Sequence, residues 1–310
     1  MELSVVIPVY NAEETIAKLI EVLSSSLSGV DFEVVLVNDS SRDRSEEICT
    51  SLAERHDNIT FVSLRKNFGE HNAVMCGLNF CEGDYVVVID DDFQNPPEEI
   101  LKLLAEIKRG YDVVFSKYKD KQHHVLRNLG STLNDYVATW LIGKPKDLYL
   151  SSFKIMSRGL VKEVIKYDGP NPYIDGLVFR NTNNISSILV HHNQRETGRS
   201  GYTFRKLVSL YLNMFINFSI MPLRVFTVLG VITFLLGMVL AILFVWERIH
   251  RPELTPGWAS LAVIVLLTSG FQAVFLGLMG EYLGKLYQKE NGVPQWVIKK
   301  VVSQSRKAHD

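Results

Sequence analysis

Tyr85-Val86-Val87-Val88-Ile89 runs, with no alternation of apolar and polar residues, into three consecutive carboxylates, Asp90, Asp91 and Asp92. An unbroken apolar run of this length suits a strand buried on both faces, the situation in a parallel sheet covered by helices. Asn95-Pro96 follows, with Asn95 read as the N-cap of the next helix and Pro96 as its first residue. Ligands of open α/β sheets lie just outside the carboxyl ends of strands, where these aspartates fall. Crowded carboxylates repel one another unless they share a cation, and hard oxygen ligands suit Mg²⁺ or Mn²⁺. The plainer reading makes one aspartate a helix cap and leaves the others solvated, but Asn95 already supplies a cap.

Residues before this stretch repeat the pattern. Leu3 to Tyr10 reads as a buried strand, followed by a helix capped by Asn11 with Ile16, Leu19, Ile20, Leu23 and Leu27 at helical spacing. Phe32 to Val37 and Ile59 to Leu64 are further strands, separated by a helix bearing Ile48 and Leu52. Arg65 to Asn72 reads as a polar turn before a helix with Val74, Met75 and Leu78. A helix over 97–109 and a strand over 112–116 follow the aspartates. Strands alternating with helices argue for a doubly wound, mostly parallel sheet. The segments 151–156 and 185–191 are candidate strands, and 129–142 reads as helical.

The character changes after residue 202. Arg205, Ser209, Asn213 and Asn217 lie four apart and form one narrow polar stripe on an apolar helix. That is the pattern of a helix lying in a membrane interface. Val225 to Trp246 is 22 residues without a charge, about 33 Å as a helix and long enough to span a bilayer. Leu261 to Met279 is a second such run, with Trp258 and Tyr282 as interface anchors. Basic residues gather on the outer flanks of the pair (Arg205, Lys206, Arg224, Lys285, Lys289, Lys299, Lys300, Arg306, Lys307), against Arg248 and Arg251 in the connector. The positive-inside rule then puts both flanks in the cytoplasm. The resulting domains are 1–202, a cytoplasmic α/β unit; 203–221, an interfacial helix; 222–282, a two-helix hairpin; and 283–310, a basic tail. Gly280-Glu281-Tyr282-Leu283-Gly284 raises the option of a homo-oligomer.

Composition narrows the partners. A net charge of −1 over 310 residues offers no field for nucleic acid. Cys49, Cys76 and Cys81 show no zinc-type pairing and read as reduced thiols. The N-terminal apolar run is short and lacks a basic start, so it does not read as a signal peptide. Arg195 and Arg199 sit in a glycine-punctuated loop and suit an anionic ligand, since the guanidinium fork binds phosphate bidentately. Arg205 and Lys206 fit either a lipid phosphate or general attraction to anionic lipid.

Val6-Ile7-Pro8-Val9-Tyr10-Asn11, Val37-Asn38-Asp39-Ser40-Ser41, Asn67-Phe68-Gly69 and Asp90 to Glu98 together resemble the family 2 glycosyltransferases of the GT-A fold. The branch is that of the polyprenyl-phosphate glycosyltransferases, related to dolichyl-phosphate mannose synthase and bacterial undecaprenyl-phosphate sugar transferases. The resemblance extends from residue 3 through both apolar runs. It implies an inverting, metal-dependent transfer of sugar from a nucleotide-diphosphate sugar, UDP-linked rather than GDP-linked, to polyprenyl phosphate at the cytoplasmic face of a bacterial plasma membrane. Asp90 and Asp92 match the D-x-D pair that holds Mg²⁺ or Mn²⁺, with Gln94 as a further ligand. Asp91 occupies the x position. Pro8, Tyr10, Glu13 and Asp39 match positions lining the nucleoside pocket, Asp39 being equally readable as a helix cap. Arg127, Arg195, Arg199 and Ser200 sit where relatives place groups on the lipid phosphate, with Arg205 and Lys206 nearby. Asp175 is a candidate for a sugar hydroxyl, and Ser151-Ser152-Phe153 for shaping the acceptor and sugar pockets. Other readings are a non-catalytic nucleotide-sugar-binding membrane scaffold, a nucleotidyltransferase releasing pyrophosphate, and a processive polysaccharide synthase. The last is disfavoured because no Q-x-x-R-W precedes Trp140, Trp246, Trp258 or Trp296.

Overall fold

A computed structural model describes residues 1–118, 148–191, 193, 221–250 and 257–304 of the chain. Strands β1 (Leu3–Val9), β2 (Phe32–Asn38), β3 (Ile59–Leu64) and β4 (Tyr85–Val88) are separated by helices α1 (Ile16–Ser26), α2 (Ser45–Arg55) and α3 (Glu70–Phe80). A 3-10 turn, Pro97–Glu99, leads into α4 (Ile100–Ile107) and β5 (Val113–Tyr118). Next come β6 (Lys154–Ser157), α5 (Arg158–Val164), α6 (Ile174–Asn181) and β7 (Ile185–Val190). Two long helices, α7 (Met221–His250) and α8 (Trp258–Glu290), precede β8 (Ile298–Val302).

Among the described residues, eight strands form one sheet in the order β7-β5-β6-β4-β1-β2-β3-β8. β1 lies between β2 and β4, parallel to both, and β3 is parallel to β2. β6 runs antiparallel to β4 and β5, and β8 antiparallel to β3. The unalternating apolar runs are buried as their composition requires: in β1 only Pro8 is less than fully buried. α1 turns Ile16, Leu19, Ile20 and Leu23 inward, and each such side chain stabilises by roughly 1.5–3 kcal/mol on burial. Cys49, Cys76 and Cys81 are buried and unbridged. The chain leaves β1 toward β2 on one side and returns as β4 on the other. Connections that diverge in this way open a crevice at the carboxyl ends of β1 and β4.

Two local readings change. Asn11 does not cap α1, which begins at Ile16. Its backbone takes a positive φ of 55°, and its Oδ1 accepts from the Arg42 amide at 2.8 Å. Asn95 is not a cap either; it is buried, and its Oδ1 accepts from the Tyr118 hydroxyl at 2.7 Å. In both places a partner distant in sequence outcompetes the local amides.

The chain divides into two compact units, Met1–Tyr202 with Gly292–Asp310, and Thr203–Asn291. The segment read as a basic tail contains β8, which completes the sheet edge with Val302 opposite Phe61 and Lys300 opposite Ser63. Its charges have partners: Lys299 Nζ lies 3.0 Å and Lys300 Nζ 3.5 Å from Glu46 Oε1. Burial alone would raise the Glu46 pKa, but these two ammonium groups outweigh it and hold it low. In the second unit Phe226 of α7 meets Phe271 and Phe275 of α8 at ring separations of 5.7 and 6.1 Å. Phe234 and Leu267 are 68% and 69% exposed. Among the described residues no helix is long and apolar enough to cross a membrane; the side chains of α7 are described without interruption only over 225–240. The expected interfacial helix over 203–221 lies outside the described residues save its last position.

Candidate active site

The crevice is lined first by Tyr10, which follows β1 and is 45% exposed. Its backbone amide donates to Asp91 Oδ2 at 3.1 Å, joining the ends of β1 and β4. Asp90 accepts at Oδ2 from Ser152 Oγ at 2.5 Å. Asp92 Oδ1 caps the turn by accepting from the Gln94 amide at 3.1 Å, and between them Phe93 adopts a positive φ of 58°. Left-handed backbone at a bulky residue is strained, and such strain concentrates where geometry serves a site. The Gln94 carbonyl in turn accepts from the Asn193 amide at 2.9 Å.

Asp39 follows β2 and is buried, with its two carboxylate oxygens accepting from the amides of Phe68 and Gly69 at 2.7 and 2.8 Å. Burial raises its pKa and the two amides pull it back. Gly69 has φ 92°, a conformation that costs little only without a Cβ. Asp39 therefore fastens the Asn67-Phe68-Gly69 turn to β2, and the cap near α2 falls to Asp43, whose Oδ1 accepts from Ser45 N at 3.0 Å. Glu13 Oε2 accepts from the Arg44 amide at 3.0 Å, and the Glu13 amide donates to Asp43. Pro8 is partly exposed within β1.

Sequence reasoning passed over Glu70 and Lys154. Glu70 is the first residue of α3; its surface is open to solvent, yet the surrounding protein, and then the charge of Asp90, push its pKa up to about 7. Its neighbour His71 is driven down to about 4 by burial and meets the Tyr173 ring edge-on at 5.3 Å. Lys154 and Asp175 form a buried ion pair, with the ammonium 5.3 Å from the Phe115 ring centroid. Asp175, expected near the sugar, thus has one oxygen engaged by Lys154. No pattern of spacing in the sequence announces such a pair.

The pKa of Asp91 is pushed up to about 7 by burial and by the charges of Asp90 and Asp92. Carboxylates that hold back one another's ionisation are a site a cation would relieve. Among the described residues no three acidic, histidine or cysteine side chains converge as a metal cage. The donor set fits an ion that takes one or two carboxylates and fills its remaining positions from phosphate and water, as Mg²⁺ does in phosphate sites. Arg127, Arg195, Arg199, Ser200, Arg205 and Lys206 lie outside the described residues.

Residues 4–164 match the model of glycosyl transferase family 2, and residues 221–286 that of the GtrB C-terminal hairpin. The chain is 34% identical over 310 residues to an undecaprenyl-phosphate 4-deoxy-4-formamido-L-arabinose transferase of Enterobacter sp. (strain 638), covering 97% of this chain and 94% of the relative. It is 34% identical over 306 residues to the transferase of the same name from Yersinia enterocolitica serotype O:8, with the same coverage. Among solved structures it is similar to glucosyl-3-phosphoglycerate synthase from Mycobacterium tuberculosis in complex with Mn²⁺, UDP and phosphoglyceric acid. That likeness has a TM-score of 0.54 at 19% identity over 69% of this chain and 76% of the other, a likeness of fold.

Proposed function

We propose, since this chain belongs to glycosyl transferase family 2, that it transfers a sugar from a nucleotide-diphosphate sugar to polyprenyl phosphate. The chain is a glycosyltransferase of the GT-A fold. The observation that carries the reading is the set of Asp90, Asp91 and Asp92 beyond β4, bonded to the end of β1 at the point where the connections diverge.

The exposed Tyr10 ring offers a stacking face for the nucleobase, UDP in preference to GDP, with Pro8, Glu13 and Asp39 shaping the same end. Asp39 does so through the 67–69 turn that it fastens. Asp90 and Asp92, with Gln94, would hold Mg²⁺ or Mn²⁺, a role supported by the donor set and by the Mn²⁺ named with the mycobacterial enzyme of this fold. When bound, the cation would offset charge on the departing diphosphate and hold it in place. Asp91, through Tyr10, braces β1 against β4. Asp175 with Lys154 holds α6 against β6 on the sugar side. Arg127, Arg195, Arg199 and Ser200, with Arg205 and Lys206, would orient the lipid phosphate. A phosphate monoester has a second pKa near ~6, so its oxygen attacks the anomeric carbon without a general base. Attack opposite the leaving nucleotide inverts that carbon.

The membrane reading belongs to the same proposal: an interfacial helix over 203–221, then α7 and α8 as two spans. It is supported by the uncharged sequence from Val225 to Trp246, by the exposed apolar side chains and by the hairpin match. The pairing of β8 with β3 in one sheet also requires an even number of crossings between them. The sheet-bearing unit would then face the cytoplasm of a bacterial plasma membrane.

The test is detergent-purified protein with undecaprenyl phosphate, Mg²⁺ or Mn²⁺ and radiolabelled nucleotide sugars, including a formamido-pentose donor. Label entering the organic phase, lost with EDTA and in Asp92→Ala, is expected. A water-soluble polymer would favour the processive alternative, released pyrophosphate a nucleotidyltransferase, and donor binding without transfer from any sugar the scaffold.

A further inference from the structure

β6 runs antiparallel to β4 in a register that pairs Tyr85 with Ser157, Val86 with Met156, Val87 with Ile155 and Val88 with Lys154. Continued past the last paired residues, that register sets Asp90 across from Ser152. Alternation along a strand puts Ser152 and Lys154 on one face, beside Val88 and Asp90. Two consecutive side chains of that face reach into the site: Lys154 to Asp175, and Ser152 Oγ to Asp90 Oδ2 at 2.5 Å.

The segment that presents Ser152 is itself held. Ser151 is buried, and its Oγ accepts from the Phe153 amide at 3.2 Å and from Ser116 Oγ at 2.8 Å. It also lies 2.7 Å from the Tyr118 hydroxyl, which donates to Asn95 Oδ1 at 2.7 Å. One hydroxyl network thus ties the approach to β6 both to β5 and to the residue just beyond the aspartate turn. Ser151, expected to shape a pocket, is a member of this network. Ser152 faces the carboxylate from a fixed platform.

We propose that Ser152 is a positioning residue for Asp90, setting the rotation of its carboxylate and hence the direction from which its oxygens meet a divalent cation. The inference rests on the metal-dependent reading above. Partners that hydrogen-bond a metal-ligating group orient it, and losing one typically weakens metal binding by about 10–100-fold.

The experiment titrates Mn²⁺ into the full-length protein in detergent with UDP present, reading free Mn²⁺ by electron paramagnetic resonance. Ser152→Ala should raise the Mn²⁺ Kd by about 10–100-fold while the melting temperature stays put, and Ser152→Thr, which keeps the hydroxyl, should stay within about threefold of the parent. In an Asp90→Asn background the Ser152→Ala change should cost nothing further, because the two act through one bond. A Ser152→Ala protein that binds Mn²⁺ as the parent does overturns the proposal, as does an equal loss with and without Asp90. If the parent itself takes up no Mn²⁺ with UDP, the metal-dependent reading fails and this inference falls with it. If the parent binds and the alanine variant is unchanged, only the role of Ser152 falls.

Discussion

Asp175→Ala would leave the Lys154 ammonium without its counter-charge in a place where water cannot replace it. The two side chains are only 4% and 10% exposed, and Lys154 is flanked by the Phe115 ring. Removing one partner of a buried pair costs about 3–5 kcal/mol, most of it the stranded charge rather than the lost attraction. Each kcal/mol shifts melting by about 2–4 °C in a domain of this size, so the transition should fall by roughly 6–20 °C. The double change Lys154→Met with Asp175→Leu removes both charges and should return to within about 1–2 kcal/mol of the parent, since apolar replacement of a buried pair is often neutral. Differential scanning fluorimetry of the three proteins in one detergent reads all of this. A single variant that loses under about 1 kcal/mol, or a double variant no better than the single, would refute the stranded-charge argument.

Two further expectations follow from the crevice and the sheet. Glu70 and Asp91 are both pushed up to about 7, so the folded protein holds protons that the unfolded chain releases at its ordinary carboxylate values. Their stabilising contribution is complete below those ordinary values and is lost as pH rises through about 7. Melting temperature in EDTA should therefore fall between about pH 4 and 7, and Asp91→Asn should flatten that slope. Gly83→Ala would place a Cβ 2.7 Å from the Ser4 amide nitrogen and 2.8 Å from the Leu3 carbonyl carbon. Those are backbone atoms in the central strand, so denaturant titration should show a loss of about 1–3 kcal/mol.

The α/β class was legible because β1, β2, β3 and β4 are buried on both faces, and only continuous apolar runs satisfy that burial. The aspartates were legible because a strand end followed by carboxylates is a local signal. Asn11 and Asn95 were misread for the opposite reason: cap chemistry is local, whereas Arg42 and Tyr118, their actual partners, come from other elements. Glu70 looked like one more polar residue of a turn. Its raised pKa comes from the surrounding protein and from the charge of Asp90, neither of which is visible in a linear pattern. Lys154 and Asp175 lie 21 positions apart on different elements, a pairing that only the antiparallel entry of β6 creates. β8 was hidden because Ile298-Lys299-Lys300-Val301-Val302 is short and basic, and its strand character depends on the waiting edge of β3.

That edge has a consequence for how the molecule is made. β3 ends at Leu64 and its outer neighbour begins at Ile298, so both long helices must leave the ribosome before the sheet can be completed. At about 5–20 residues per second the interval is roughly 12–47 s. Throughout that time the nascent chain exposes an unpaired strand containing Phe61 and Val62, the kind of edge that recruits wrong partners. Completion of the sheet is thereby made to wait on synthesis of the two long helices. A chain whose hairpin goes astray would be left with an open edge, a ready mark for quality control.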